Sequence, residues 1–249
     1  MRADRIIGVR NDKTVLRDGD DCVKIFGENF SGARVLKEAL NQSRAREVGI
    51  NAPLIKSVAC DDGRWAITYE YVEGKTLDRL MEEQPDKKDE YLKMMVDLQR
   101  DVLAKDCPQL SRLIEKFNYN ISRSELEATV RYDLLNKLWD MPRSTKLCHG
   151  DFNPTNIIVT PDGVPYVIDW AQAARGNASA DVAGTYIYFL LNDDKEDADR
   201  YLELYCSATG ADPDYVRRWI PIVAGSKLKE SNEREKEFLT SVANTPEYK

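Results

Sequence analysis

Short apolar stretches joined by tight polar turns dominate the first third of the chain, and this pattern predicts a small β-sheet. Two hairpins are expected, over residues 14–26 and 54–69, each around an Asp-Gly turn. Between them, Ser31 is a typical N-cap for a helix that runs to about Val48. We therefore expect residues 1–73 to form an antiparallel sheet with one helix.

The predicted helix after Ser31 has an apolar stripe that is expected to face the core. The stripe consists of Val35, Leu36, Ala39, Leu40 and Val48.

From Gly74 onward, apolar residues recur mostly at helical spacing. The predicted helices cover residues 77–81, 88–103, 124–139, 182–191, 195–209, 212–222 and 230–242. We therefore divide the chain near Gly74, into residues 1–73 and residues 74–249.

A third hairpin interrupts the helical part of the chain. Two apolar runs within residues 157–168 flank a Pro-Asp-Gly turn. A turn centred on the Asp-Gly pair would place Asn156 directly opposite Asp169 at the open end of the hairpin. Asp151 precedes Asn156 by only a few residues and is within loop reach of both.

These three side chains suit one kind of chemistry. A carboxylate beside an amide oxygen is a hard-oxygen site of the kind that Mg²⁺ prefers when substrate phosphates supply the remaining ligands. Asp151 is then available to act on a nucleophile, as in the general scheme for phosphoryl transfer. His149 is the only histidine in the chain, which excludes a Ser-His-Asp triad elsewhere in the chain and a histidine-rich metal site. Alternatively, Asp151 and Asn156 only cap a loop and Asp169 only ends a strand.

The run His149–Asn156, followed by Ile168-Asp169-Trp170, resembles the aminoglycoside phosphotransferase and choline kinase-like branch of the protein-kinase-like fold. The resemblance implies an α+β, bilobal fold with a small antiparallel-sheet N-lobe and a mainly helical C-lobe. Residues 1–73 would then bind nucleotide, and residues 74–249 would carry catalysis and substrate binding.

The same resemblance implies roles for the motif residues. Asp151 would be the catalytic base, and Asn156 and Asp169 would be the Mg²⁺ ligands. His149 would pack and orient the loop rather than carry a proton. Asp181 would be a buried carboxylate that bonds the catalytic-loop backbone, although it could also simply cap the helix predicted from residue 182.

A kinase of this fold needs a strand lysine for the phosphates and a helix glutamate that holds the lysine. Lys24 lies in the interior of a predicted strand and is the best candidate. Glu38, in the second turn of the predicted helix, is the expected partner, with Glu47 as the weaker alternative. Taken alone, a strand lysine or a helix glutamate is more often a solvated surface charge than a functional residue.

The segment around Tyr69 resembles the hinge of kinase-like proteins. By that resemblance Tyr69 is the gatekeeper, Glu70 offers its carbonyl to adenine and Val72 its N–H. The loop over the phosphates has a single glycine, Gly8, before a predicted Asn11-Asp12 turn, so the choice between ATP and GTP stays open.

The segment after Asp169 favours a small acceptor. It lacks Asp-Phe-Gly, Ala-Pro-Glu and the length of an activation segment, so the peptide platform of protein kinases is not expected. A hydroxyl of a small molecule is the better acceptor. A catalytically silent nucleotide-binding protein is the alternative from another class.

Charge and cysteine content narrow the partners. The net charge of −7 disfavours nucleic acid. Five scattered cysteines argue against a disulfide framework or a zinc site and favour the reducing cytoplasm. We also expect no secretory signal and no membrane span, whereas oligomeric state leaves no trace in the sequence.

Two acidic clusters bear on the acceptor. They lie within residues 82–90 and 193–199 and could steer a polycation such as an aminoglycoside, or could be solvated helix ends. An aminoglycoside-type antibiotic is the first expectation for the acceptor. Choline, a sugar or an amino alcohol is the alternative.

Overall fold

The computed structural model describes residues 5–10 and 13–245, which form two compact units. One unit combines Met1–Gln84 with Pro154–Gln172, and the other combines Pro85–Asn153 with Ala173–Lys249. The third predicted hairpin therefore packs with the N-terminal sheet unit. The division into lobes near residue 74 stays a prediction.

The strands in chain order are β1 (Arg5–Arg10), β2 (Lys13–Asp18), β3 (Asp21–Phe26), β4 (Ile55–Asp61), β5 (Arg64–Glu70), β6 (Lys75–Thr76), β7 (Lys146–Cys148), β8 (Ile157–Val159), β9 (Pro165–Val167) and β10 (Ala174–Gly176). The α-helices are α1 (Gly32–Glu47), α2 (Leu77–Glu83), α3 (Lys88–Ala104), α4 (Leu113–Ser122), α5 (Ala128–Asp140), α6 (Ala178–Leu191), α7 (Lys195–Thr209), α8 (Pro213–Lys227) and α9 (Glu233–Ala243).

The N-terminal sheet is antiparallel, with strand order β1-β2-β3-β5-β4. The β2–β3 turn differs by one residue from the expected Asp18-Gly19 pair: Asp18 pairs with Asp21, so the central residues are Gly19, at a φ of 59°, and Asp20. The β4–β5 turn is as predicted, with Asp62 and Gly63 as central residues at φ values of 46° and 78°. Positive φ at both central residues is the geometry of a type I′ hairpin turn, which Asp-Gly sequences favour.

Helix α1 covers this sheet with a face that differs from the predicted stripe. Val35 and Ala39 are buried as expected, but Leu36 and Leu40 are 50% and 49% exposed. The buried face instead includes Asn41, whose amide donates to a backbone carbonyl at 3.1 Å. Buried polar side chains are tolerated when they are hydrogen-bonded. An apolar stripe was therefore the wrong guide to the orientation of this helix.

The register of the β8–β9 hairpin also differs from the prediction. Ile157 pairs with Val167, and the N–H of Ile168 donates to the carbonyl of Asn156 at 2.9 Å. Asn156 thus lies opposite Ile168 rather than Asp169. The N–H of Thr160 donates to the carbonyl of Val164 at 3.0 Å, so the turn itself consists of residues 161–163 and ends in Gly163 at a φ of 84°. The predicted pairing assumed a two-residue turn.

The second unit is mainly helical. Helix α6 packs against α7 and α8, and α8 also packs against α4, α5 and α9. Helix α4 was not predicted, and α5 begins at Ala128 rather than at residue 124. Helix α6 begins at Ala178, four residues before the prediction, because Asn177 is its N-cap and accepts from the N–H of Ser179 at 3.0 Å.

Two short strands, β7 and β10, pair in this unit and bring α4 close to β10. A Cβ on Gly176 would lie only 2.5 Å from the Cβ of Leu113, so this contact requires glycine. Within the described residues, no helix is long and apolar enough to cross a membrane. All five cysteines belong to the described part of the chain and are free thiols.

Candidate active site

The predicted catalytic loop follows β7 in the second unit. His149 is buried, its Nδ1 accepts from the N–H of Asp151 at 3.3 Å, and its ring meets that of Phe152 edge to face. Gly150 has a φ of 82°, which glycine adopts without strain. The loop therefore turns sharply between a buried histidine and Asp151, whose side chain is 40% exposed.

Two side chains of helix α6 are hydrogen-bonded to the backbone of this loop. The N–H of Gly150 donates to Oδ1 of Asp181 at 2.6 Å, and the hydroxyl of Thr185 donates to the carbonyl of Phe152 at 2.7 Å. Asp181 is buried and lies within the helix rather than at its N-cap. The predicted carboxylate contact to the loop backbone is thus present, and the capping alternative is wrong.

A buried glutamine that was not among the predicted residues supports this arrangement. Gln99 of α3 donates through Nε2 to Oδ2 of Asp181 at 3.2 Å and to the hydroxyl of Thr185 at 3.3 Å. The hydroxyl of Tyr201, on α7, donates to Oε1 of Gln99. Both polar groups of the Gln99 amide are thus occupied, and burial keeps the pKa of Tyr201 well above its ordinary range.

Asp151 has a cationic neighbour that was not predicted either. Nζ of Lys227, the last residue of α8, lies 3.5 Å from Oδ1 of Asp151. The backbone carbonyl of Asp151 also accepts from Nδ2 of Asn153 at 3.0 Å.

The sheet unit contains the predicted lysine and glutamate as an ion pair. Nζ of Lys24 lies 2.6 Å from Oε1 of Glu38 and 3.3 Å from Oδ1 of Asp169. Lys24 is buried in the interior of β3, and Glu38 is only 2% exposed on the inner face of α1. Glu47, the weaker candidate for the partner of Lys24, is exposed.

The electrostatics of this cluster favour a charged Lys24. Burial opposes the charge, but attraction to Asp169 and Glu38 outweighs it, so the pKa of Lys24 is raised. The pKa of neighbouring Lys13 is lowered, first by burial and then by repulsion from Lys24. Burial, followed by the charge of Glu38, raises the pKa of Tyr69 well above its usual value.

Asn156 and Asp169 lie at the open end of the β8–β9 hairpin. Asn156 is buried, and Asp169 has a φ of 61°, a left-handed conformation that Asp adopts more readily than most residues. Trp170 anchors the following turn, because its indole N–H donates to the carbonyl of Val167 at 3.0 Å and its own carbonyl accepts from Asn41.

Asn156 and Asp169 are the two predicted ligands of a magnesium ion. In the described part of the chain, no group of three or more His, Cys, Asp or Glu side chains could hold a metal by itself. One carboxylate and one amide oxygen are the hard donors that suit Mg²⁺ when phosphate oxygens complete its shell. The residues therefore fit a metal that arrives with a nucleotide.

The predicted hinge continues from β5. The hydroxyl of Tyr69 donates to Oε1 of Glu38 at 3.3 Å, which joins the hinge to the ion pair. The N–H of Glu70 donates to the carbonyl of Leu54 at 2.8 Å, and Val72 lies beyond the strand. The predicted Asn11-Asp12 turn lies outside the described residues.

Solved structures with a similar fold were found over nearly the whole chain. Aminoglycoside phosphotransferase APH(4)-Ia is 16% identical, with a TM-score of 0.70 over 96% of this chain and 91% of that one. A thermostable mutant of the same enzyme, in a ternary complex with ADP and hygromycin B, is 15% identical with a TM-score of 0.69 over 96% and 91% of the two chains.

A choline/ethanolamine kinase family protein from Mesorhizobium loti is 16% identical, with a TM-score of 0.64 over 97% of this chain and 88% of that one. These similarities establish a protein-kinase-like fold, so the predicted α+β fold class is confirmed. A comparison with proteins of curated function found no match.

The class of protein then follows from sequence. The phosphotransferase enzyme family (APH) matches this chain over residues 33–219. These residues are well over half of the chain. The protein belongs to this family, as its catalytic-loop motif predicted.

Proposed function

We propose that this protein is an ATP-dependent kinase that transfers the γ-phosphoryl group to a hydroxyl of a small molecule. The observation that carries the proposal is the buried cluster in which Lys24 lies between Glu38 and Asp169. A lysine braced by a helix glutamate and placed beside a metal-binding aspartate is the nucleotide-phosphate site of kinases.

The nucleotide is ATP in this proposal, with GTP as the second candidate. Support comes from the solved structures of similar fold, which include complexes with ADP and with AMP-PNP. Tyr69 would close the back of the adenine site, while the carbonyl of Glu70 and the N–H of Val72 would bond the base.

Asn156 and Asp169 would hold Mg²⁺, and a metal bound there would neutralise charge on the β and γ phosphates. Lys24 would bind phosphate oxygens from a position that Glu38 maintains. The ion pair with Glu38 would hold the Lys24 ammonium in place before the nucleotide arrives, which lessens the reorganisation that binding requires.

Asp151 would accept the proton of the acceptor hydroxyl. The hydroxyl oxygen forms a bond to the γ-phosphorus, the bond from that phosphorus to the β–γ bridging oxygen breaks, and ADP leaves with the electron pair. Asp181 and His149 would keep the loop in place without touching the reacting atoms.

The acceptor would be a metabolite alcohol or an aminoglycoside. The two acidic clusters that favoured an aminoglycoside carry ion pairs within the second unit. Arg200 of α7 binds both carboxylate oxygens of Asp89 at 2.6 and 3.2 Å, and Lys88 pairs with Asp197. These carboxylates join α3 to α7. We therefore place a metabolite alcohol first and an aminoglycoside second, because these acidic side chains are already paired with cations of the same unit.

The test is a coupled assay of ADP release with ATP, GTP and Mg²⁺ against aminoglycosides, choline, amino alcohols and sugars. Lys24→Met should weaken ATP binding by roughly tenfold or more, because charge-assisted bonds to phosphate are lost. Lys24→Arg should retain part of the affinity. Lys56→Met, which removes an exposed strand lysine, is the control and should bind ATP normally.

If Lys24→Met bound and turned over ATP like the wild type, the phosphate site would be misplaced. If the protein bound ATP but transferred the phosphoryl group to no acceptor in the panel and not to water, the result would favour the silent nucleotide-binding alternative.

A further inference from the structure

The C-terminal end of α8 provides a cation beside the predicted base. Nζ of Lys227 lies 3.5 Å from Oδ1 of Asp151, and its side chain is only 28% exposed. The two residues are 76 positions apart in sequence, so the tertiary packing of α8 creates this pair.

The position of Lys227 is set by the two residues before it, which are both buried. Nδ2 of the buried Asn120 donates to the carbonyl of Ser226 at 3.2 Å and lies 3.3 Å from its hydroxyl. A Cβ on Gly225 would lie 2.7 Å from Cδ1 of Leu134, so the helix backbone is packed closely there. Lys227 therefore extends from a fixed backbone, unlike a lysine on a mobile surface loop.

Further positive charge lies next to this helix end. Nζ of Lys229 lies 3.9 Å from the centre of the Tyr119 ring, and the guanidinium of Arg123 lies 4.1 Å from the same centre. Glu230 is the acidic residue of the same short segment. Two cations thus flank the α4–α8 contact near the residue that pairs with Asp151.

An acceptor at Asp151 would meet this charge. A hydroxyl that is hydrogen-bonded to the carboxylate lies about 2.7 Å from one of its oxygens. A substituent two or three bonds away from the hydroxyl can then reach the Lys227 ammonium. An anionic substituent would gain a charge-assisted bond, whereas an ammonium group would be repelled.

We propose that Lys227 forms an acceptor subsite for an anionic group, so that the acceptor is a hydroxyl compound with a carboxylate or a phosphate near the reacting hydroxyl. This proposal rests on the proposed function, because a base at Asp151 is what places the hydroxyl there. It opposes the polycationic acceptor suggested by the acidic clusters.

The test compares four acceptors that share one carbon skeleton. Glycerate and glycerol phosphate are anionic, glycerol is neutral, and 3-aminopropane-1,2-diol is cationic. In the wild type, kcat/KM from ADP release should be highest for an anionic member and lowest for the cationic one. Glycerate and glycerol phosphate separate a carboxylate acceptor from a phosphate acceptor.

The variants test whether Lys227 causes this preference. Lys227→Met should lower kcat/KM for the preferred anionic acceptor by about tenfold to a hundredfold, the worth of one charge-assisted bond. Because Lys227 also pairs with Asp151, its loss should change the turnover of all four acceptors by a common factor. The measure of the subsite is therefore the ratio of kcat/KM for the anionic acceptor to kcat/KM for glycerol, which should fall by about tenfold or more. Lys227→Arg should keep the preference, and Lys93→Met, which removes an exposed lysine of α3, should leave it unchanged.

Two failures are distinguishable. Loss of ATP turnover, including hydrolysis by water, in Asp151→Asn supports the kinase assignment. If no anionic acceptor then exceeds glycerol in kcat/KM, or if Lys227→Met keeps the preference for the anionic acceptor, the subsite is refuted while the kinase assignment stands. If turnover is unaffected by Asp151→Asn, the proposed function fails and the subsite fails with it.

Discussion

The buried Gln99 gives a sharp prediction, because it links three elements beneath the catalytic loop. Replacement by leucine keeps the approximate volume of the side chain but removes two donors and one acceptor. Asp181, Thr185 and Tyr201 would each lose a hydrogen bond in a region from which water is excluded.

The expected cost follows from these three bonds. A hydrogen bond to a carboxylate is worth about 2 kcal/mol and each of the other two about 1 kcal/mol, so Gln99→Leu should lower the free energy of unfolding by about 4 kcal/mol. For a protein of this size, that corresponds to a fall in Tm of about 10 °C. The loop should loosen as well, because Asp181 bonds the Gly150 N–H.

Thermal unfolding followed by circular dichroism measures the first effect, and hydrogen exchange of the Gly150 amide measures the second. Asp101→Leu, at an exposed position of the same helix, is the control and should change stability by less than about 0.5 kcal/mol. A fall in Tm of less than about 3 °C, or unchanged protection of the Gly150 amide, would show that the hydrogen bonds of Gln99 do not support the catalytic loop.

Three further predictions concern other parts of the molecule. Glu38→Gln should lower ATP turnover by roughly a hundredfold by releasing the phosphate-site lysine, whereas Glu47→Gln on the exposed face should not; equal effects on kcat would contradict this. Burial raises the pKa of the Cys148 thiol well above its ordinary value of 9.0, so the stability it contributes is complete below pH 9 and is lost as the pH rises further. The free energy of unfolding, measured with urea between pH 7 and 10.5, should therefore fall less steeply with pH for Cys148→Ala than for the wild type. Parallel curves would show that this thiol does not cause the loss of stability. Gly176→Ala should cost about 1 to 3 kcal/mol through overpacking, while Gly184→Ala, where a Cβ meets nothing closer than 4.0 Å, should be neutral or stabilising in the same unfolding assay.

Local signals predicted the sheet well. The Asp-Gly turns located the strands of the N-terminal sheet, because positive φ at those positions is a property of the residues themselves. Local patterns also predicted the strand position of Lys24 and the helix position of Glu38. In the structure, Nζ of Lys24 lies 2.6 Å from Oε1 of Glu38.

Errors arose where the outcome depends on tertiary contacts. The buried face of α1 includes hydrogen-bonded polar side chains, so hydrophobicity alone misplaced Leu36 and Leu40. The β8–β9 register depended on a loop of three residues rather than two. A one-residue error of this kind changes which side chains lie opposite each other.

The supporting network could not be predicted. Gln99 is separated by 82 residues from Asp181 and by 102 from Tyr201, and no pattern along the chain pairs such residues. The same holds for Lys227 and Asp151, which are 76 residues apart. A buried glutamine within an apolar helical stripe, as at position 99, is the one local signal that could have indicated a polar network.

The most direct test of the central claim measures phosphoryl transfer from ATP to an acceptor by ³¹P NMR, with wild-type protein and the Asp151→Asn variant. Asp162→Asn, in the hairpin turn, is the matched control. We expect Asp151→Asn to lower transfer by about a hundredfold or more while ATP affinity and Tm stay near wild-type values, because only the proton acceptor is lost. Transfer at the wild-type rate by Asp151→Asn would show that Asp151 is not the catalytic base.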